Sequence, residues 1–251
     1  MVTCSQSENA CFQILRPVGS GVKMGVMVPH SGAADPASAR PYRGVEPADR
    51  LAARRSRLLA AGLDLLGSDR HDASALTVRG VCRRAGLAAR YFYESFCDKD
   101  EFVSAVFDSV VADLAATTQA AVAAAPAREQ TRAGMANIVR TIADDARVGR
   151  LLFSAQPANA VLVGKRAESS ALFAVLSGQH VGTTLQVPEN DRIKAAAHFV
   201  VGGVAQTISA WLAGGLRLAP DELVDQLAAL LDELADPALY RATDISPAAE
   251  L

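Results

Sequence analysis

Gly86 is the residue that most narrows what this chain can fold into, because it separates two short helical segments by a single flexible position within LTVRGVCRRAGLAARYFYESFCDKDEF, Leu76 to Phe102. Thr77 has the hydroxyl of a good N-cap, and Val78, Val81, Cys82 and Ala85 after it form one apolar face among Arg79, Arg83 and Arg84. Gly86 then suits a left-handed helix stop, and Leu87 can return to the same core. The spacing predicts a second helix over Ala89 to Ser95. A third start follows at Asp98-x-x-Glu101, a capping box ahead of Phe102, Val103, Val106, Phe107 and Val110. Helix, tight turn and helix is the geometry that lays a short second helix in the major groove of DNA.

The charge distribution points the same way. Residues 50–99 hold ten Lys or Arg against five Asp or Glu, whereas the whole chain is nearly neutral at −2. Arg50, Arg54, Arg55 and Arg57 crowd a first helix, Arg50 to Leu66, whose apolar positions Leu51, Leu58, Leu59, Leu65 and Leu66 recur at helical spacing; beside a helix-turn-helix they read as phosphate ligands. A fourth helix is expected from Lys99 to Ala124, stopped by Ala125-Pro126. Further helices are expected near 128–146, 149–155, 157–179, 190–214 and 220–235, the last opening on Pro220 and carrying Leu223, Leu227, Leu230, Leu231 and Leu234. No strand-like alternation competes, so the class is all-α. Residues 1–45, rich in Gly, Ser, Ala and Pro, are expected to be disordered and not a signal peptide, and 241–251 to be a flexible tail.

The run Gly86 to Phe102, preceded by the helical LTVRGVCRRA, resembles the DNA-binding domain of the TetR family of bacterial transcriptional regulators. The likeness covers Arg50 to about Val111 and rests on Thr77, Gly86, the Tyr93-x-x-Phe96 pair, Lys99 and the acidic-then-apolar entry to the fourth helix. Members often carry Ser or Thr where Ala88 or Ala89 stands here, so this recognition helix lacks a hydroxyl cap. The resemblance implies a helix-turn-helix domain over 46–111 and a ligand-binding and dimerisation bundle over 112–240. It implies a homodimer through 190–235, built on the last two long helices, and operator DNA as partner. The expected DNA surface comprises Arg50, Arg54, Thr77, Val78, Arg79, Ala88, Ala89, Arg90, Tyr91, Tyr93, Glu94 and Lys99. Within it Ala89, Arg90 and Tyr91 would face base edges, and Tyr93 and Lys99 would hold phosphates.

For the bundle the family likeness implies a pocket for a small hydrophobic molecule. Ile138, Ile142, Leu152, Phe153, Leu172, Phe173, Leu176, Phe199 and Trp211 are available as walls, with His180, His198 and Gln206 as polar anchors; each also suits ordinary core. Ala195 to Ala219 is long and apolar enough to suggest a membrane span, but His198, Gln206, Thr207, Ser209 and Arg217 favour burial in a bundle or a subunit contact. The cysteines, Cys4, Cys11, Cys82 and Cys97, have no metal-ligand spacing and the four His are isolated, so no metal or cofactor is expected and a reduced cytoplasm is the natural setting. Cys97, beside a helix start and Lys99, is a candidate redox-sensitive thiol, and Cys82 a small core residue. No paired carboxylates, Ser/His/Asp set or phosphate loop suggests an enzyme. The expected function is a dimeric repressor released from its operator by ligand, with a ligand-independent DNA-binding activator or architectural protein as the alternative. A helical enzyme or lipid carrier with a vestigial head is a more distant one.

Overall fold

The computed structural model describes residues 47–68, 76–154, 159–186, 188 and 190–240. The expected N-terminal extension, the C-terminal tail, Cys4, Cys11 and most of the loop before Thr77 lie outside the described residues. Among those described, the regular structure is entirely helical.

The helix α1 (Pro47–Leu66) begins three residues before the apolar spacing marks it, on a proline suited to a first turn. The short helix α2 (Val78–Ala85) follows its expected caps closely: Thr77 Oγ1 accepts from the Gly80 amide at 3.0 Å. Gly86 ends α2 at φ 64°, and the Leu87 amide returns to the Cys82 carbonyl at 2.9 Å. Removing the cap, Thr77→Ala, should lower the stability of the head by about 0.5–2 kcal/mol while Thr77→Ser stays near wild type, measured by chemical denaturation.

The helix α3 (Ala89–Tyr93) is two residues shorter than expected, and its N-cap Ala88 makes no side-chain bond. The long helix α4 (Lys99–Ala124) has the expected bounds. Its capping box is displaced by one residue: Asp98 Oδ1 accepts from the Glu101 amide at 2.8 Å, but Glu101 Oε2 accepts from the Cys97 amide at 2.6 Å.

Phe92, Phe96 and Phe102 lock these helices together, their ring centroids 5.1 to 5.5 Å apart in tilted and edge-on arrangements. Leu58, Val81, Cys82, Val103, Val106 and Phe107 complete this core, which also takes in Leu151 and Leu162 from outside the head. A side chain at Gly62 would meet Val106 and Phe102, so glycine is what lets α1 cross α4 this closely.

The body starts with α5 (Gln130–Asp144), entered through a 3-10 turn at Ala127–Glu129. The next helix, α6 (Ala146–Phe153), starts three residues before the expected 149, because Asp145 caps it by accepting from the Arg147 amide at 2.9 Å. The helix α7 (Ala160–Leu185) runs beyond the expected 179. Asn190 accepts from the amides of Arg192 and Ile193 to begin α8 (Asp191–Leu212). Pro220 opens α9 (Pro220–Glu233), where Glu222 Oε2 accepts from the Ala219 amide at 2.7 Å.

The second core joins Ala136, Val139 and Ile142 of α5, Val148 of α6, Ile208 of α8 and Leu223, Val224 and Leu227 of α9. The leucine stripe of α9 is therefore partly used within the chain. Most of α8 is not: it is the one helix among the described residues long and apolar enough to cross a membrane, and 11% of its apolar window is buried.

Candidate nucleic-acid interface

The aromatic core under α3 determines which side of that helix faces out. With Phe92 fully buried, Ala89, Arg90, Tyr93 and Glu94 are exposed and Tyr91 is half-buried. Thr77, Arg79 and Ala88 are exposed beside them, Val78 is half-buried, and Lys99 is exposed on the first turn of α4. The structure thus brings ten of the twelve expected contacts onto α2, α3 and the segments flanking them. Tyr93, 61% exposed, projects a phenol that the core does not require.

Arg90 and Tyr91 are coupled. Arg90 Nη2 donates to Tyr91 Oη at 2.6 Å, and its guanidinium carbon lies 4.6 Å from the Tyr91 ring centroid. The guanidinium bonded to the phenol draws the Tyr91 hydroxyl below its usual range. Arg54 approaches the same ring at 4.1 Å and reaches Glu94 Oε2 at 3.4 Å, linking α1 to the far end of α3.

The other arginines of α1 alter the expected role of this basic helix. Arg55 donates to the Ser95 carbonyl at 2.8 Å with its guanidinium 4.4 Å from the Phe96 ring centroid. Arg57 donates to the Ala85 carbonyl at 2.6 Å, neutralising an open acceptor at the end of α2. Arg54, Arg55 and Arg57 therefore hold the turn and α3, a task that competes with the expected phosphate binding; the half-buried Arg50 makes no such bond among those described.

The residues expected to wall a ligand pocket separate into two groups. Ile142 is buried in the second core, and Ile138, Leu152, Phe153 and Trp211 pack against it. Phe173, His180, His198, Phe199 and Gln206 are exposed on α7 and α8, with Leu172 and Leu176 half-buried. A small cleft of about 120 Å³ between α7 and α8 is lined by Ala174, Val175, Gly178, Gln179, Ile193, Lys194 and His198, so His198 alone of the twelve borders it. Among the described residues no three His, Cys, Asp or Glu side chains gather as metal ligands. Cys82 is buried, which pushes its thiol up, and Cys97 is exposed.

Sequence reasoning missed the seam between head and body. Asp64, near the end of α1, accepts from Arg84 of α2 at 2.7 Å and from Arg147 of α6, which also reaches Asp145 at 2.6 Å. Burial pushes the Asp64 carboxyl up, but the two guanidiniums outweigh it and hold the group below the ordinary carboxylate range. A side chain at Gly67 would strike the Arg147 backbone, so α1 ends in close contact with α6. Arg166 of α7, its charge disfavoured by burial, secures the other end of α6 by donating to the carbonyls of Arg150 and Leu151 at 2.8 and 2.6 Å.

Because its folded pKa is depressed, Asp64 contributes stability above its unfolded value, and that contribution is lost as pH falls through the folded value. Between about pH 5 and pH 3, wild type should therefore lose stability more steeply than Asp64→Asn, as read by denaturant titration at each pH.

Neither a protein-family model nor a curated protein sequence matches the chain. Solved structures do. The fatty acid degradation regulator FadR from Bacillus halodurans superposes with a TM-score of 0.58 at 14% identity, over 71% of this chain and 94% of that one. A TetR-like transcriptional regulator from Rhodococcus sp. RHA1 gives 0.54 at 20% identity, over 73% and 97%. FadR from Bacillus subtilis, solved in complex with stearoyl-CoA, gives 0.52 at 15% identity, over 70% and 96%. The fold is that of TetR-like transcriptional regulators.

Proposed function

We propose that the chain is a bacterial, cytoplasmic, sequence-specific transcriptional regulator of the TetR type, acting as a homodimeric repressor that a small hydrophobic ligand releases from its operator. The observation that carries this reading is the exposed rim of Thr77, Arg79, Ala89, Arg90, Tyr93 and Lys99 on a head whose aromatic side is fully packed. Arg90 is suited to guanine O6 and N7, while Tyr93, Lys99 and the amides at the start of α4 are suited to phosphates. In a two-fold dimer the two α3 helices would enter successive major grooves about 34–36 Å apart.

For the dimer contact within 190–235, α8 is the open part. Phe199 is 69% exposed, and side chains added at Gly202 and Gly203 would meet nothing within 4 Å among the described residues. Val163, Phe173 and Val175 on the neighbouring α7 are exposed as well, and a second copy would cover this face where α9 is already engaged with α5. A ligand that binds two arrangements of the bundle with different affinity would shift the spacing of the heads. Stearoyl-CoA, bound in the Bacillus subtilis FadR structure, is the first compound to try.

A second reading is a ligand-independent DNA-binding protein, activator or architectural, whose body only dimerises. Its support is the packing of Ile138, Ile142, Leu152, Phe153 and Trp211 into the second core. Selection of bound fragments from the source genome, with affinity followed against salt, tests the DNA-binding reading. Enrichment of one near-palindromic site is expected, and uniform, steeply salt-sensitive binding would overturn sequence-specific regulation. Release of that site by a ligand then separates the two readings.

A further inference from the structure

We infer that the cleft at the seam of α1, α2 and α6 is a binding site for a small phosphate-bearing anion. The cleft measures about 310 Å³ and is lined by Arg57, Arg84 and Arg147, one from each helix, with Asp64 the sole acidic lining residue among those described. Ala60, Ala61, Leu63 and Ala85 supply an apolar wall. Asp145 neutralises part of Arg147 from outside the cleft, so the balance among the described residues, with both carboxylates counted, is still cationic.

The donors of Arg84 and Arg57 are only partly used, whereas Arg147 already engages Asp64 and Asp145 through all three of its nitrogens. Arg84 bonds Asp64 through Nε, leaving both of its terminal nitrogens, and Arg57 uses Nη2 on the Ala85 and Gly86 carbonyls, leaving Nη1 and Nε. Guanidinium forks with spare donors suit a phosphate group, which accepts several charge-assisted bonds at once. Asp64 already joins Arg84 to Arg147 as an internal carboxylate, and an incoming phosphate would compete for the same two cations. The volume stands at the lower limit for small-molecule sites, about 300–1,000 Å³, so the ligand class is a small phosphate or diphosphate ester. The cleft lies at the Ala85 end of α2, away from the Thr77 end that belongs to the DNA-facing rim.

The test is calorimetric titration of the full-length chain, free of DNA, with inorganic pyrophosphate at constant ionic strength against a chloride reference. Saturable binding is expected. Arg84→Gln and Arg147→Gln should each weaken it about tenfold or more, the worth of one charge-assisted hydrogen bond. Asp64→Asn should tighten it, since Arg84 then loses its carboxylate partner and Arg147 keeps only Asp145, and Arg90→Ala and Lys99→Ala should leave it unchanged. Non-saturable heats, or a loss caused by Arg90→Ala and Lys99→Ala instead, would overturn the proposal, the latter by placing the phosphate on the DNA-facing surface. If the arginine variants do not fold, Asp64→Asn decides: unchanged affinity there overturns it. Because no DNA is present, failure here leaves the regulator reading standing, and failure of operator selection leaves this site standing.

Discussion

Phe92→Ala should destabilise the helix-turn-helix head by about 3–5 kcal/mol, the range for emptying a buried aromatic site. That is a large fraction of the stability of an ordinary domain, about 5–15 kcal/mol. The loss should be close to the upper limit because Phe92 is the hub of its cluster, with Phe96 and Phe102 both about one ring away and Tyr93 edge-on at 5.5 Å. Neither neighbour can collapse into the gap without breaking the Phe96–Phe102 contact at 5.1 Å. Denaturant titration measures the stability, and a parallel DNA-binding assay should show loss of binding; Phe92→Leu should retain part of both. A wild-type midpoint in Phe92→Ala would mean that the aromatic cluster does not hold the head together.

The second large effect separates the two kinds of DNA contact proposed for the head. Arg90→Ala should cost about 1–3 kcal/mol on the preferred site and much less on random DNA, relaxing base preference. Lys99→Ala should weaken binding to both and lower the slope of log affinity against log salt by about one. Arg55→Ala and Arg57→Ala should act differently from either, lowering stability through the unmet carbonyls of Ser95 and Ala85. Competition assays on the selected site and on random DNA over a salt series measure these effects. Equal losses on both DNAs for Arg90→Ala would remove its role in base readout.

Legibility in the sequence followed the range of the interaction. Thr77, Gly86, Asp98 and Pro220 act within one turn of their own position, and each sits where local rules put it. Asp145 obeys the same rule, yet beside Asp144 it reads as solvent-facing charge, which is why α6 starts before the expected position. The arginines of α1 show the opposite limit. Along a helix, a guanidinium that meets water and one that meets a carbonyl 28 or 40 residues away look identical, and only the fold distinguishes them. The same holds for Asp64, whose partners come from two other helices. For the apolar residues of the bundle, composition distinguishes neither a wall from a filler nor either from an outward face; Ile142 and Phe199 have opposite fates with similar character.

The unbroken length of α4 has a mechanical consequence. At about 1.5 Å per residue its 26 residues make a rod of about 39 Å. One end carries Lys99 and the buried Phe102, while its far half lies along α5, with Asn137 donating to Thr118 at 2.9 Å. A tilt of about five degrees at one end displaces the other by about 3.4 Å, one base-pair step along DNA. A rearrangement in the bundle that tilted α4 by this little would move its Lys99 end by the rise of one base pair.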